Sequence, residues 1–241
     1  MGCPYHGPVR TEAIVFDLGN TLAPWGPLQT LRLYSDIRDV FESELGPMED
    51  FDLRAFAARE EFIRQRENGS MREVTMAEFV ARIAGGSPPP SLESRVERAM
   101  HDGFVALCGI PGRTVDLVRG LARTRPLAVL SNFILTRPVE EVIDRAGLRD
   151  CFVHVEVSAS GGFMKPHPAP FDAVLERLGT SRERTLMVGD NVWADVVGGH
   201  RAGLLTALTQ EFAKGPTTDP RAPAIRPDVV LERLDALADR P

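Results

Sequence analysis

The second half of the chain alternates short apolar runs with helical segments, and this alternation limits the fold more than any other feature of the sequence. Apolar, β-branched runs bounded by turn residues predict strands. They lie at 127–130, 152–157, 185–190, 204–209 and 228–231. The spacing of apolar residues predicts helices at 112–124, 137–146, 169–178 and 191–202, and a terminal helix after the last strand. Such alternation is typical of a parallel, doubly wound sheet.

A further strand is predicted near the start of the chain, at 12–18, and we assign it to the same sheet. No strand pattern follows until residue 107; the spacing predicts four helices, at 28–45, 51–67, 76–84 and 91–107. We therefore predict an α/β protein with a Rossmann-like core domain formed by 1–22 and 110–241. An α-helical cap domain is inserted at 23–109, with hinges near 22–27 and 108–112, where proline and glycine cluster.

Composition excludes several classes of partner. The net charge of −6 leaves no broad basic surface for nucleic acid or anionic lipid. No apolar run approaches the 18 residues typical of a membrane-spanning helix. Three widely separated cysteines indicate a reducing compartment, and we expect a cytoplasmic protein. Cys3 and His6 are residues of metal-binding type, but without a second pair a frayed terminus is the favoured interpretation. The sequence leaves the oligomeric state open.

Polar side chains gather where the predicted strands end. In open parallel sheets, ligands bind beyond the carboxyl ends of the strands. The side chains found there are Asp17, Ser131, Lys165, Asp190 and Asp195. Three of the four asparagines, Asn20, Asn132 and Asn191, fall at the same edge, as does one of only two lysines. Asparagine is also a common turn residue, so a purely structural role for these three stays open.

This set of side chains suits one type of chemistry. A carboxylate nucleophile, a hydroxyl donor, an ammonium group and a separate acidic pair are what phosphoryl transfer through an aspartyl-phosphate requires. The acidic pair would hold Mg²⁺, which prefers carboxylate, carbonyl and water oxygens. Positive charge from the metal and from Lys165 would offset the repulsion between phosphate and carboxylate.

Four motifs in order carry a resemblance to a known family. They are VFDLGNTL, AVLSN, GFMKPHPAPFDAVLERLG and TLMVGDNVWADVVGGHRAGL. The chain resembles the haloacid dehalogenase (HAD) superfamily of hydrolases, in the branch with a helical cap inserted after the first strand. The similarity covers essentially the whole chain.

The resemblance implies a role for each residue. Asp17 would be the nucleophile, and Lys165 would bridge it to the phosphate. Ser131, with Asn132 and Asn20, would bind the phosphoryl oxygens. Asp190 would bind Mg²⁺ directly, and Asp195 would bind it or orient its water shell; Asp17 and the backbone carbonyl of Gly19 would complete the metal site. The expected substrate is a small phosphorylated metabolite, which the cap would select. The arginines 54, 59, 64 and 66 would recognise a second anion or form a solvated helix face.

The chain departs from the commoner family pattern at Gly19, where most HAD phosphatases carry a second aspartate that serves as general acid and base. Three hypotheses follow. The protein is a Mg²⁺-dependent phosphatase in which solvent, a cap carboxylate or His167 supplies the proton. Alternatively, it is a non-catalytic phosphate- or partner-binding relative. The third hypothesis, a metal-independent 2-haloacid dehalogenase, is the least favoured because the metal-type motif GDNVWAD is retained.

Overall fold

A computed structural model describes residues 11–67 and 69–238, without the side chains of 59, 60 and 62–67. Cys3 and His6 therefore lie outside the described residues. Among the described helices, none has both the length and the apolar composition needed to cross a membrane. Cys108 and Cys151 are free thiols. The cytoplasmic location expected from the cysteine count stays a prediction.

Six parallel strands form one sheet, in the order β3-β2-β1-β4-β5-β6. Their bounds are β1 Ala13–Phe16, β2 Leu127–Ser131, β3 His154–Val157, β4 Thr185–Gly189, β5 Leu205–Thr209 and β6 Val229–Leu231. The chain runs outward from β1 to β3, then returns to the other side of β1 as β4 and continues to β6. The strand order therefore reverses beside β1, and ligands bind at such a switch point.

Helices cover both faces of the sheet and fill the insertion after β1. Their bounds are α1 Pro27–Leu45, α2 Phe51–Glu67, α3 Met76–Ala84, α4 Pro90–Leu107, α5 Gly112–Ala122, α6 Thr136–Arg145, α7 Ser158–Gly161, α8 Pro168–Leu178 and α9 Gly198–Arg201. We call α1–α4, residues 27–107, the helical insertion. Its α3 shows how local sequence sets the bounds: Thr75 caps the first turn by accepting the N–H of Glu78, and Gly85 ends the helix with φ +79°.

The helical insertion has an apolar core of its own, formed by Ile37, Phe41, Phe51, Val80, Leu92 and neighbouring side chains. Helices α1 and α4 approach so closely that a Cβ atom on Gly103 would lie 2.8 Å from Leu33. The end of α4 instead joins the core of the sheet, because Phe104, Val105 and Cys108 pack there. The α/β fold with an inserted helical module is thus confirmed, whereas the bounds 23–109 stay a prediction.

The helical insertion is also joined to the loop that precedes Lys165. Met164 N–H donates to the Met71 carbonyl (2.8 Å), and Glu73 N–H donates to the Gly162 carbonyl (2.9 Å). The buried Glu73 carboxylate accepts a hydrogen bond from the Ser158 hydroxyl (2.5 Å), which in turn accepts the Phe133 N–H (2.9 Å). One buried chain of hydrogen bonds therefore connects the insertion to the ends of β2 and β3.

Three segments differ from the predicted pattern. The predicted helix at 191–202 is a π-helix, Val192–Val197, followed by the short α9. The predicted terminal helix is a single 3₁₀ turn, Leu234–Leu237, within the described residues. The glycine-rich turn after β3 contains the one-turn helix α7. Apolar spacing does not separate α-, 3₁₀- and π-helices, because they differ by only one residue in the span of their backbone hydrogen bonds.

Candidate active site

The candidate active site is a cavity of about 260 Å³ at the carboxyl ends of β1, β2 and β4. Its floor is polar and is formed by Asp17, Ser131, Lys165, Asp190 and Asp195. All five side chains were predicted to gather at this edge from the strand ends alone. Their assigned roles in catalysis and binding stay predictions; their meeting in one cavity is what the structure contributes.

Lys165 is the centre of the floor. Its side chain is 1% exposed, and Nζ lies 2.7 Å from Asp17 Oδ1 and 2.7 Å from Asp195 Oδ1. Nζ also donates to the Leu130 carbonyl at 2.7 Å. An ammonium group has three N–H donors; Asp17 and the Leu130 carbonyl accept two of them, and Asp195 lies at ion-pair distance. The nucleophile predicted at β1 is thereby held in a fixed position by an element that lies far along the chain.

Asn132 fixes the backbone of Lys165. Its side-chain oxygen accepts the Lys165 N–H (2.8 Å), and its side-chain NH₂ donates to the Lys165 carbonyl (3.0 Å). This pair of bonds ties the end of β2 to the lysine loop. A phosphate-binding role for Asn132 stays a prediction, and the geometry adds a positioning role that the sequence analysis did not include.

Asp195 is held by two groups. Oδ2 accepts the Asn191 N–H at 2.9 Å, while Oδ1 faces Lys165. The winding of the π-helix turns this carboxylate inward, so that it is 1% exposed. A Cβ atom on Gly189 would lie 2.1 Å from Asp195 Oδ2, so only glycine at the end of β4 leaves room for it. Sequence reasoning missed Gly189, although its place directly before Asp190 was a signal.

Burial dominates the electrostatics of the floor. It raises the pKa of Asp17 to about 6, with the Lys165 charge opposing the rise. It raises the pKa of Asp190 to about 7, and the negative charges of Asp17 and Asp195 add to the rise. For Lys165 burial alone would lower the pKa, but the charges of both neighbouring carboxylates outweigh it and raise the pKa. Lys165 therefore stays protonated, and the floor lacks positive charge.

The three carboxylates of the floor form a cluster that could hold a cation. One oxygen each of Asp17, Asp190 and Asp195 lies within 4.8 Å of the others. Oxygen-only ligand sets of this kind suit hard divalent cations. Gly19 also lines the cavity, as its predicted backbone contribution requires. The ligand roles themselves stay predictions.

Asn20 stands beside the floor with φ +54°, a backbone conformation that asparagine tolerates better than most residues. Its side-chain oxygen accepts the Trp25 N–H (2.9 Å), and its side chain also hydrogen-bonds Asp190. These contacts position Asp190 and Trp25, while the predicted phosphate contact stays untested.

Aromatic rings form the wall opposite the floor. Trp25, Phe104 and Phe133 line the cavity. The ring centroids of Trp25 and Phe104 are 4.9 Å apart, and those of Phe104 and Phe133 are 4.3 Å apart. The sequence analysis did not include the two phenylalanines. Phe133 follows Ser131 and Asn132 directly, which was the only signal in the sequence.

The proton donors considered from the sequence lie elsewhere. His167 caps α8, where its Nδ1 accepts the Ala169 N–H, and its ring stacks on Phe163. Among the described residues, no carboxylate of the helical insertion lines the cavity. Arg54 pairs with Asp50, the residue that directly precedes α2. The side chains of arginines 59, 64 and 66 lie outside the described ones, so their predicted alternatives stay open.

Comparison with known proteins agrees with this arrangement. A model of the haloacid dehalogenase-like hydrolase family matches residues 11–203. The chain belongs to this family. The expected relationship is confirmed, and with it the assignment of the protein as a HAD hydrolase.

Individual relatives resemble this hydrolase over nearly their whole length. The HAD-hydrolase YfnB of Bacillus subtilis is 28% identical over 238 residues, covering 95% of this chain and 94% of YfnB. A glyceraldehyde 3-phosphate phosphatase of Methanopyrus kandleri is 28% identical over 234 residues, covering 95% and 96%.

Solved structures share the architecture. The crystal structure of YfnB bound to magnesium has a TM-score of 0.67 at 25% identity and covers 95% of this chain and 97% of that one. A 2-haloacid dehalogenase from Pseudomonas syringae has a TM-score of 0.71 at 20% identity, covering 94% and 96%. The latter similarity concerns the fold alone.

Proposed function

We propose that this HAD hydrolase is a phosphatase that removes the phosphoryl group from a small phosphorylated metabolite, with Asp17 as nucleophile. The observation that carries the proposal is the position of Lys165 Nζ, which is 2.7 Å from both Asp17 and Asp195 in a buried floor. Phosphatases among the relatives, including that of Methanopyrus kandleri, support the same reaction class.

The chain's own residues account for the first half of the reaction. Asp17 is largely ionised at neutral pH, because its pKa of about 6 lies below 7. Lys165 keeps one carboxylate oxygen occupied, which leaves the other to attack phosphorus. Ser131, 6% exposed at the end of β2, would donate to a phosphoryl oxygen. Attack forms the bond from the Asp17 oxygen to phosphorus and breaks the ester bond.

The acidic cluster fits Mg²⁺, and we propose that Asp17, Asp190, Asp195 and the Gly19 carbonyl hold it. Three carboxylates face a single ammonium group, so the floor is two positive charges short. Bound Mg²⁺ would supply that charge and offset the negative charge of the phosphoryl group. The magnesium bound to the related YfnB supports this choice of cation.

Release of p-nitrophenol from p-nitrophenyl phosphate tests the proposal. The wild type should release it in the presence of Mg²⁺ and stop when the metal is chelated. Asp17→Asn should reduce turnover by roughly 10⁴-fold or more, because it removes the nucleophile. Asp116→Asn, on the exposed face of α5, is the matched control and should retain activity. Equal rates in Asp17→Asn and wild type would contradict the proposal.

Two further measurements separate the alternatives. A non-catalytic relative would gain thermal stability from beryllofluoride with Mg²⁺ but release no p-nitrophenol. A dehalogenase would release chloride from chloropropionate without metal. The acidic cluster argues against this alternative, because a metal-free reaction would not need three carboxylates that can hold a cation.

A further inference from the structure

The wall of the cavity is an apolar surface formed by three aromatic rings. Phe104 is 6% exposed, and the rings of Trp25 and Phe133 continue from it on either side. Trp25 is held at two points, because its indole N–H donates to Thr30 Oγ1 (3.0 Å) and its backbone N–H to Asn20 (2.9 Å). Because Trp25 is already held in place, binding a flat ring against this wall would immobilise few additional side-chain rotamers.

The wall carries no group that would bind a second anion. Among the described residues lining the cavity, Lys165 is the only cation, and it already pairs with Asp17 and Asp195 and donates to the Leu130 carbonyl. Burial raises the pKa of the nearby Cys108 thiol to about 12, so this group is neutral. A leaving group with its own carboxylate or phosphate would lose hydration without gaining a partner.

The size of the cavity suits a leaving group of one ring. An apolar cavity of about 150 Å³ holds a benzene molecule. The present cavity of about 260 Å³ therefore has room for a single ring beside a phosphoryl group. A nucleotide or a branched sugar would extend beyond it.

The missing acid at Gly19 leads to the same class of leaving group. Without a general acid the leaving oxygen departs as an anion. A phenol has a pKa of about 10, as tyrosine does, and leaves readily. An aliphatic alkoxide is nearly as basic as hydroxide, whose conjugate acid has a pKa of about 15.7, and departs poorly unless it is protonated.

We infer that the preferred substrate is the phosphate monoester of a small, uncharged phenol, whose ring lies against Trp25, Phe104 and Phe133. This inference rests on the proposed phosphatase function and specifies its substrate class. It joins two independent observations, the aromatic wall and the glycine, Gly19, that stands two residues after Asp17.

The reaction balances without a further reagent. The Asp17 oxygen bonds to phosphorus while the bond from phosphorus to the phenolic oxygen breaks, and its electron pair leaves with the phenolate. The phenolate takes a proton from water. A second water then bonds to phosphorus, the bond to Asp17 breaks with its electron pair returning to the carboxylate, and the released proton enters solvent.

Four substrates separate the contributions of ring and leaving group. Phenyl phosphate has an aromatic ring and a phenolate leaving group. Benzyl phosphate keeps the aromatic ring, but its leaving group is an alkoxide. Cyclohexylmethyl phosphate has neither an aromatic ring nor a phenolate leaving group. In para-carboxyphenyl phosphate a charge is added to the ring. We expect kcat/KM with Mg²⁺ to fall from phenyl to benzyl by about 10²-fold, the lower end of the usual contribution of a general acid. The other two esters should also be poorer than phenyl phosphate.

Two variants assign these differences to the structure. Gly19→Asp should raise kcat/KM for benzyl phosphate by about 10²-fold and change phenyl phosphate much less, because it restores an acid. The site accepts the change, since a Cβ atom there meets no atom within 4 Å. Phe133→Leu should reduce the preference for benzyl over cyclohexylmethyl phosphate by about two- to tenfold. Phe56→Leu, at a ring 59% exposed on α2, is the matched control and should leave the preference unchanged.

The outcomes are distinguishable. If phosphoglycolate or para-carboxyphenyl phosphate is hydrolysed as fast as phenyl phosphate, the inference is wrong while the phosphatase function stands. If no ester is hydrolysed, the phosphatase function fails and the substrate assignment fails with it, and binding then tests only whether the aromatic wall accepts a ring. In a Trp193→Phe background Trp25 is the one remaining tryptophan. With Mg²⁺ present, saturable quenching of its fluorescence by phenylphosphonate but not by methylphosphonate would support the ring site, and equal behaviour of the two would overturn it.

Discussion

The edge of the sheet and the helical insertion meet at one cavity but contribute different kinds of side chain. The edge contributes buried charges, with three carboxylates around one ammonium group. From the insertion comes Phe104, and the short segment leading into it contributes Trp25. From this comparison we expect reaction type to depend on the edge, and substrate choice to depend on the insertion together with Phe133, which follows β2. Changes at the edge should affect turnover, whereas changes in the insertion should affect stability and selectivity.

Gly189→Ala tests the edge and should have the largest effect. The added methyl group would lie 2.1 Å from Asp195 Oδ2 and force this carboxylate away from Lys165 and Asn191. We expect kcat/KM for p-nitrophenyl phosphate to fall by about 10²-fold, because a misplacement of about 1 Å in an active site can cost that much. Gly120→Ala on α5, where a methyl group meets nothing within 4 Å, is the control. Activity within twofold of wild type in Gly189→Ala would contradict the proposed role of Asp195.

Ser158→Ala tests the junction between the two regions. It removes the hydroxyl that links Glu73 of the insertion to Phe133 of the cavity wall. We expect the free energy of unfolding to fall by about 1–3 kcal/mol, because the buried carboxylate loses a donor. Denaturant titration measures this change. Ser160→Ala, at an exposed hydroxyl on the same short helix, should cost much less. Equal losses in the free energy of unfolding for the two variants would mean that the hydrogen bond from Ser158 to Glu73 is not formed in solution.

Thr75→Ala tests the insertion alone and should have the smallest effect. It removes the N-cap of α3, where Thr75 Oγ1 accepts the Glu78 N–H at 3.2 Å. Loss of such a cap costs about 1 kcal/mol, which thermal unfolding can detect. Turnover of p-nitrophenyl phosphate at saturation should not change. A loss of turnover as large as that of Gly189→Ala would show that the two regions do not act separately.

The sequence predicted most of the sheet edge for a definite physical reason. Parallel strands joined by helices all end at one edge, so polar residues at strand ends meet there whatever the details of packing. The sequence therefore predicted that four of these side chains lie close together, namely Asp17, Ser131, Lys165 and Asp190. Asp195, five residues after Asp190, was assigned to the same edge, whereas the π-winding that turns it inward was not predicted.

The aromatic wall and the junction could not be predicted in this way. Trp25, Phe104 and Phe133 belong to three separate parts of the chain, and apolar periodicity describes each ring only as a core residue. The backbone pairing of Met71 and Glu73 with the lysine loop likewise has no local pattern, because irregular segments pair through tertiary contacts.

The sequence by itself determined the α/β class, the place of the helical insertion, the family and the group of residues at the sheet edge. Hydrophobic periodicity and the polar residues at strand ends can be read locally from the sequence. The topology of the parallel sheet then brings these strand-end residues close together at one edge. Only the tertiary structure decided how Lys165 is shared between two carboxylates, why Gly189 must be glycine and which rings line the cavity. Those features depend on how side chains from distant segments fill the same space, and close packing is a property of the whole fold.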